Sequence, residues 1–163
     1  MKNNRAMKSP ETIQYISVDL DLCSGCRSCM AVCSLDHTGD SNPEIAGIQV
    51  IGFLRKGNVI EAGTCLQCPK PKCLSACPQS AIYVDKITGA KIIDSAKCTG
   101  CKLCIEACPN KNKSTYYYDG VGLSPIRYNA EKNICFKCDL CRGDPLCVKT
   151  CPLNALRLNT RED

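Results

Sequence analysis

The chain has 163 residues, 17 of them cysteine, with two phenylalanines, six tyrosines and no tryptophan. That composition excludes an aromatic and aliphatic core of ordinary size, so something other than side chains must fill the interior. The formal charge is +5, but no basic run with interleaved aromatics accompanies it, which excludes a nucleic-acid-binding surface.

The N-terminal stretch MKNNRAMKSPETIQYISVD has no apolar run long enough for a signal peptide and no twin arginine. The longest apolar stretch, AGIQVIGFL at 46–54, is too short to span a bilayer. The expectation is a cytoplasmic chain without membrane insertion, whose thiols stay reduced. An odd number of regularly spaced cysteines is also a poor disulfide framework.

The cysteines fall into four groups. The first, CSGCRSCMAVC, places Cys23, Cys26, Cys29 and Cys33 in C-x2-C-x2-C-x3-C spacing. The second, CLQCPKPKCLSACP, holds Cys65, Cys68, Cys73 and Cys77 and widens the same loop with PKPK. Next comes AIYVDKITGAKIIDSAK, 81–97, where two alternating runs flank a D-K-I-T-G turn and predict a β-hairpin. The third group, CTGCKLCIEACP, returns to the narrow spacing with Cys98, Cys101, Cys104 and Cys108. The stretch NKNKSTYYYDGVGLSPIRYNAEKN, 110–133, reads as two short strands around DGVGLSP, with Tyr116, Tyr117 and Tyr118 packing against a small domain. The last group, CFKCDLCRGDPLCVKTCP, has five cysteines. Read from Cys138, it gives Cys138, Cys141, Cys147 and Cys151 with RGDPL in a widened gap. Read from Cys135, the gap would be twice the second group's insertion. Cys135 is therefore the extra one, read as a small buried apolar residue, with a stand-in ligand as the alternative.

Thiolates are soft ligands, and three cysteines two residues apart let one tight loop wrap a cubane cluster. Gly25 and Gly100 occupy equivalent places where a missing side chain allows close approach or positive φ. Pro78, Pro109 and Pro152 each follow a fourth cysteine and turn the chain away from it. Zinc is the chemical rival, but a zinc knuckle has no use for a third cysteine at x2 and a fourth at x3 before proline. The narrow spacing resembles the run of bacterial two-cluster ferredoxins, in which the last cysteine of each run ligates the other run's cluster. That resemblance implies four [4Fe–4S] clusters: one on Cys23, Cys26, Cys29 and Cys151, a second on Cys138, Cys141, Cys147 and Cys33, a third on Cys65, Cys68, Cys73 and Cys108, and a fourth on Cys98, Cys101, Cys104 and Cys77. Thus loaded, the chain carries about −3, and its lysines read as compensation. The expected fold is α+β, two nested ferredoxin-like units around a cluster-filled core. The outer unit takes 12–62 and 110–163, the inner takes 63–109, and 1–11 is an extension.

The order narrow, wide, narrow, wide from Val18 to Leu158 resembles the iron–sulfur subunit family serving the dimethyl sulfoxide reductase group of molybdenum enzymes and formate hydrogenlyase. The runs CSGCRSCMAVCSLDHTGDSNPEIAGIQV and KCDLCRGDPLCVKTCPLNAL are similar to the small electron-transfer subunits of tungsten-pterin aldehyde ferredoxin oxidoreductase-type enzymes, including class II benzoyl-coenzyme A reductase complexes. The resemblance implies a non-catalytic subunit of a hetero-oligomer. It would relay single electrons between a large pterin-metal subunit, tungsten or molybdenum, and a ferredoxin or a flavin/NAD-binding partner. A free-standing polyferredoxin, or a subunit of a hydrogenase or carbon monoxide dehydrogenase, is the alternative. Two features depart from the family: CPNKNKS follows the third group, and the chain stops soon after LRLNTRED, which disfavours a membrane anchor. The lone His37 reads as structural or solvated, with a hydrogen bond to cluster sulfur as the alternative. No nucleotide fingerprint, phosphate-cradling loop or activated nucleophile points to catalysis.

Overall fold

The computed structural model describes residues 12–53, 59–111 and 124–162. The described strands pair only in twos, all antiparallel. β1 (Thr12–Val18) lies beside β8 (Leu156–Glu162), with Thr12 opposite Glu162 and Val18 opposite Leu156. β2 (Ile48–Phe53) pairs with β3 (Val59–Thr64), β4 (Ile82–Val84) with β5 (Lys91–Ile93), and β6 (Ile126–Asn129) with β7 (Ile134–Lys137). Isolated two-stranded ribbons are marginal in water, so these depend on what they enclose.

Among the described residues the α-helices are α1 (Ser28–Thr38), α2 (Lys72–Ser75), α3 (Leu103–Glu106) and α4 (Leu146–Thr150). The last three end within two residues of a Cys-Pro pair, where proline has no N–H to continue the ladder and disfavours helix in the residue before it. α1 has no such proline and runs on for eleven residues. It closes at Gly39, which is left-handed at φ 75 and whose N–H bonds Leu35 O at 2.8 Å. No described helix is long and apolar enough to cross a membrane.

The β4–β5 hairpin forms where D-K-I-T-G predicts it. Asp85 Oδ2 accepts from Ile87 N–H at 3.2 Å, Thr88 N–H at 2.8 Å and the Thr88 hydroxyl at 2.7 Å, the side-chain turn for which aspartate is favoured. The tip docks on the first strand, with Gln14 N–H bonding Thr88 O at 2.8 Å. Of the two strands expected around DGVGLSP, the second is β6; Tyr116, Tyr117 and Tyr118 lie outside the described residues, as does the extension 1–11.

Buried apolar residues form two clusters. One gathers Ile16, Ile48, Val50, Leu140 and Leu156 around Cys29 and Cys147; the other sets Ile82 and Ile126 around Cys104, Cys108 and Cys135. No aromatic ring is buried among the described residues. The side-chain core is as thin as the composition requires, and each half of it is built around sulfur.

Candidate iron–sulfur centres

In all four groups the residue before the second cysteine is left-handed: Gly25 at φ 73, Gln67 at 49, Gly100 at 70 and Leu140 at 64. This shared turn brings the first two sulfurs of each loop to one side. The loops then diverge. In the narrow ones a second left-handed residue, Arg27 or Lys102, caps the helix carrying the third cysteine. In the wide ones the cap is an extended proline, Pro71 or Pro145. Proline's fixed φ starts those helices, so PKPK and RGDPL are alternative entries into the same short helix.

The cysteines come together in fours. Cys23, Cys26, Cys29 and Cys151 line one cavity, and Cys33, Cys138, Cys141 and Cys147 another. Cys65, Cys68, Cys73 and Cys108 line a third, and Cys77, Cys98, Cys101 and Cys104 a fourth, where Cys135 joins them. Ile48 walls both the first and the second, and Lys137 both the second and the third. The third and fourth are joined by the segments of α2 and α3, since Cys73 and Cys77, like Cys104 and Cys108, face different cavities. The cavities therefore run in a row, and the two exposed cysteines among the seventeen, Cys26 and Cys101, belong to its two ends.

Each quartet has a nitrogen donor aimed at sulfur. Ala155 N–H reaches Cys151 Sγ, Gly47 N–H reaches Cys33 Sγ, Ala81 N–H reaches Cys77 Sγ and Cys135 N–H reaches Cys98 Sγ, each at 3.3 Å. The Lys137 ammonium donates to Cys65 Sγ, also at 3.3 Å. Four sulfurs per cavity with N–H groups directed at them suit a cubane iron–sulfur cluster, whose ligands are thiolates and whose negative charge such donors offset. The donors at Cys77 and Cys151 come from a repeat not singled out in the sequence, Cys-Pro-x-x-Ala, in which left-handed Ser80 and Asn154 turn the alanine N–H back. The third group, with CPNKN, makes the same first turn, Lys111 N–H to Cys108 O at 3.2 Å, up to the edge of the described residues.

Burial pushes the Cys29 thiol up to about 11 and those of Cys104 and Cys138 to about 12. It also raises Cys73, Cys108, Cys141 and Cys147. Without metal these are neutral thiols, so loading must release protons. Cys26 runs the other way, lowered by its hydrogen bonds to Ser28.

Two buried polar residues tie the second and third cavities together, and no spacing rule points to either. Gln67, fully buried, donates to Cys138 O at 2.8 Å and accepts from Lys91 N–H at 2.8 Å. Lys137, 9 % exposed, bonds the same amide oxygen at 3.4 Å besides Cys65. His37 has a defined place on the wall of the second cavity, with Nδ1 against Cys33 O at 2.9 Å and Nε2 against Asp139 Oδ1 at 3.1 Å. Asp139 also accepts from Cys141 N–H at 2.9 Å. The hydrogen bond to Asp139, then that to Cys33, raises the imidazole to about 11. Burial pushes Asp139 up, but His37 and the N–H groups outweigh it and leave the carboxyl below its usual range.

Fold and site together define a ferredoxin-like iron–sulfur protein with short strands and few helices. Residues 58–161 match the 4Fe-4S dicluster domain, and residues 20–39 match a 4Fe-4S binding domain. The chain belongs to this dicluster family, whose members carry electrons on protein-bound iron–sulfur clusters. It is 39% identical over 137 residues, 84% of this chain and 70% of the other, to the aliphatic sulfonate oxidoreductase, polyferredoxin-like subunit of Pyrococcus furiosus. It is 34% identical over 157 residues, 88% of this chain and 86% of the other, to the electron transport protein HydN of Escherichia coli. Among solved structures, the active site complex BamBC of benzoyl coenzyme A reductase with benzoyl-CoA contains a chain of the same fold. The TM-score is 0.52 at 23% identity, covering 93% of this chain and 82% of that one.

Proposed function

We propose that the chain is the electron-transfer subunit of a cytoplasmic oxidoreductase complex. In this reading it holds four [4Fe–4S] clusters and serves a tungsten-pterin catalytic subunit of the aldehyde oxidoreductase type. A ferredoxin or a flavin- or NAD-linked partner takes the other end. The four quartets named above are the proposed ligand sets, each completed by a cysteine from a distant group. Each cluster, when bound, takes up and releases one electron. The protein supplies positions, donors to sulfur and exclusion of water. Two nested units follow from the same pairing, with groups one and four outside and groups two and three inside; the β6–β7 hairpin packs on the inner pair.

The observation that carries this reading is the row of four cysteine-lined cavities with shared walls, open at Cys26 and at Cys101. Leu153, on the wall of the Cys26 cavity, and Leu20 and Leu22, just before Cys23, are each 42–48 % exposed. Apolar side chains beside an end of the row favour a partner that stays bound. The Pyrococcus relative is itself named as a subunit of an oxidoreductase, which supports a hetero-oligomer.

The test is anaerobic isolation of the tagged chain from its native host, with metal analysis and identification of co-purifying chains. About sixteen irons per chain together with a large tungsten-containing subunit is the expected result. Molybdenum in that subunit would replace tungsten in the reading. Sixteen irons on a chain that purifies alone would make it a free polyferredoxin, and zinc in place of iron would overturn the proposal.

A further inference from the structure

The two narrow loops differ in one respect that their spacing hides. The cavity of Cys23, Cys26, Cys29 and Cys151 has four cysteines on its wall, whereas that of Cys77, Cys98, Cys101 and Cys104 has five. The fifth, Cys135, is 2 % exposed and comes from β7. Its backbone N–H bonds Cys98 Sγ at 3.3 Å, and it packs with Cys104 in the second buried cluster.

The hairpin that presents Cys135 is fastened to the third-group loop. Cys135 lies opposite Tyr128, over whose ring the Lys102 ammonium sits, 3.8 Å from the centroid. The Tyr128 hydroxyl donates to Asn133 Oδ1 at 2.8 Å, and Asn133 Nδ2 donates to Thr99 O at 3.3 Å. Gly100 leaves room for this seam: a Cβ there would stand 2.4 Å from Asn133 O. The Cys135 sulfur is thus held beside the same cavity as Cys104 by contacts that involve neither cysteine side chain.

We propose that Cys135 is a fifth cysteine of this centre, which replaces Cys104 as ligand when the bond from Cys104 to iron breaks. The inference rests on the ligand set proposed above. The exchange is balanced without a redox partner. The Cys104 sulfur leaves iron and takes up the proton that the Cys135 thiol releases, and the Cys135 sulfur forms the new Fe–S bond. No electron moves, and the number of thiolate ligands stays at four. Cys29, the equivalent of Cys104 in the other narrow loop, has no such neighbour on its cavity wall.

Three variants of the full chain, loaded anaerobically beside the wild type, test this by iron content and electron paramagnetic resonance. Cys104→Ala should keep the wild-type iron content and show no three-iron signal when oxidised. Cys29→Ala and the double variant Cys104→Ala/Cys135→Ala should each lose iron from one centre, up to about one quarter of the total. Equal losses in Cys104→Ala and the double variant would overturn the proposal. A fourth variant keeps all sixteen proposed ligands: Cys135→Ala should retain full iron, because Cys104 remains to complete the centre. Loss of iron from that variant would also overturn it, since Cys135 would then be a resident ligand and not a replacement. A wild-type chain without iron in this centre would instead remove the ligand set on which it rests.

Discussion

The narrow and wide loops reach the same backbone turn by different means. In the first and third groups the left-handed residue before the second cysteine is glycine, and the conformation is encoded locally. In the second and fourth it is Gln67 or Leu140, both fully buried, and a residue with a Cβ is held there at a cost of about 1–2 kcal/mol. Gln67 is held by bonds to Cys138 and Lys91, Leu140 by the apolar cluster around Ile16 and Leu156. A cluster loop can therefore be written in its own residues or imposed by distant ones, and the wide loops cannot form before the rest of the chain arrives.

The strongest test of this contrast is Leu140→Ala, which keeps the strained φ and removes the packing that enforces it. A loss of about 2–5 kcal/mol is expected, read as a lower anaerobic denaturation midpoint, with iron lost first from the Cys138 quartet. Gln67→Ala should cost about 1–3 kcal/mol by removing the donor to Cys138 O and the acceptor for Lys91 N–H. An unchanged midpoint would mean that the loop holds itself.

In the narrow loops the glycines should be unequal. Gly25→Ala should cost about 1–2 kcal/mol for its φ, since the added Cβ meets only the flexible end of Ile60 at 3.1 Å. Gly100→Ala should cost more, because the same atom would meet Asn133 backbone; equal costs would remove the seam to β7 as the reason.

The smallest effects on stability concern charge. The His37–Asp139 pair should contribute fully below the ordinary histidine value and lose its contribution only as pH rises through the folded value of about 11. The signal of this single histidine, followed by magnetic resonance in the oxidised protein, should not titrate through neutral pH. Lys137→Met should cost about 1 kcal/mol, as the apolar chain keeps the packing but leaves Cys65 Sγ and the Gln67 amide oxygen without this donor. It should also move the reduction step of the Cys65 centre to more negative potential. No shift would show that the ammonium does not act on Cys65.

What the sequence made legible was whatever is local. The cysteine spacing, the glycines of the narrow loops, the D-K-I-T-G hairpin and the helix-stopping prolines all act within a few residues, and the structure places each where the pattern does. The strain at Gln67 and Leu140 was not legible, because the residues that enforce it lie far away in the chain. Nor was the reach of Lys137 to Cys65, 72 residues away. His37 was read as structural or solvated; it is exposed, and its ring is also held by an aspartate 102 residues further on, which no local pattern shows. The extra cysteine was legible as extra, and as buried, but its neighbours depend on how a hairpin seats against another loop.

The pairing of β1 with β8 has a consequence for the living cell. Thr12 emerges from the ribosome early and its partner Glu162 some 150 residues later, roughly 8–30 s at ordinary rates of synthesis. For most of that interval Cys23, Cys26 and Cys29 stand on a nascent chain that has not yet reached Cys151, the fourth cysteine of their cavity. If the proposed first quartet holds, iron delivery to this end of the molecule must wait until Cys151 is made, or find a guardian for three bare thiols in the meantime.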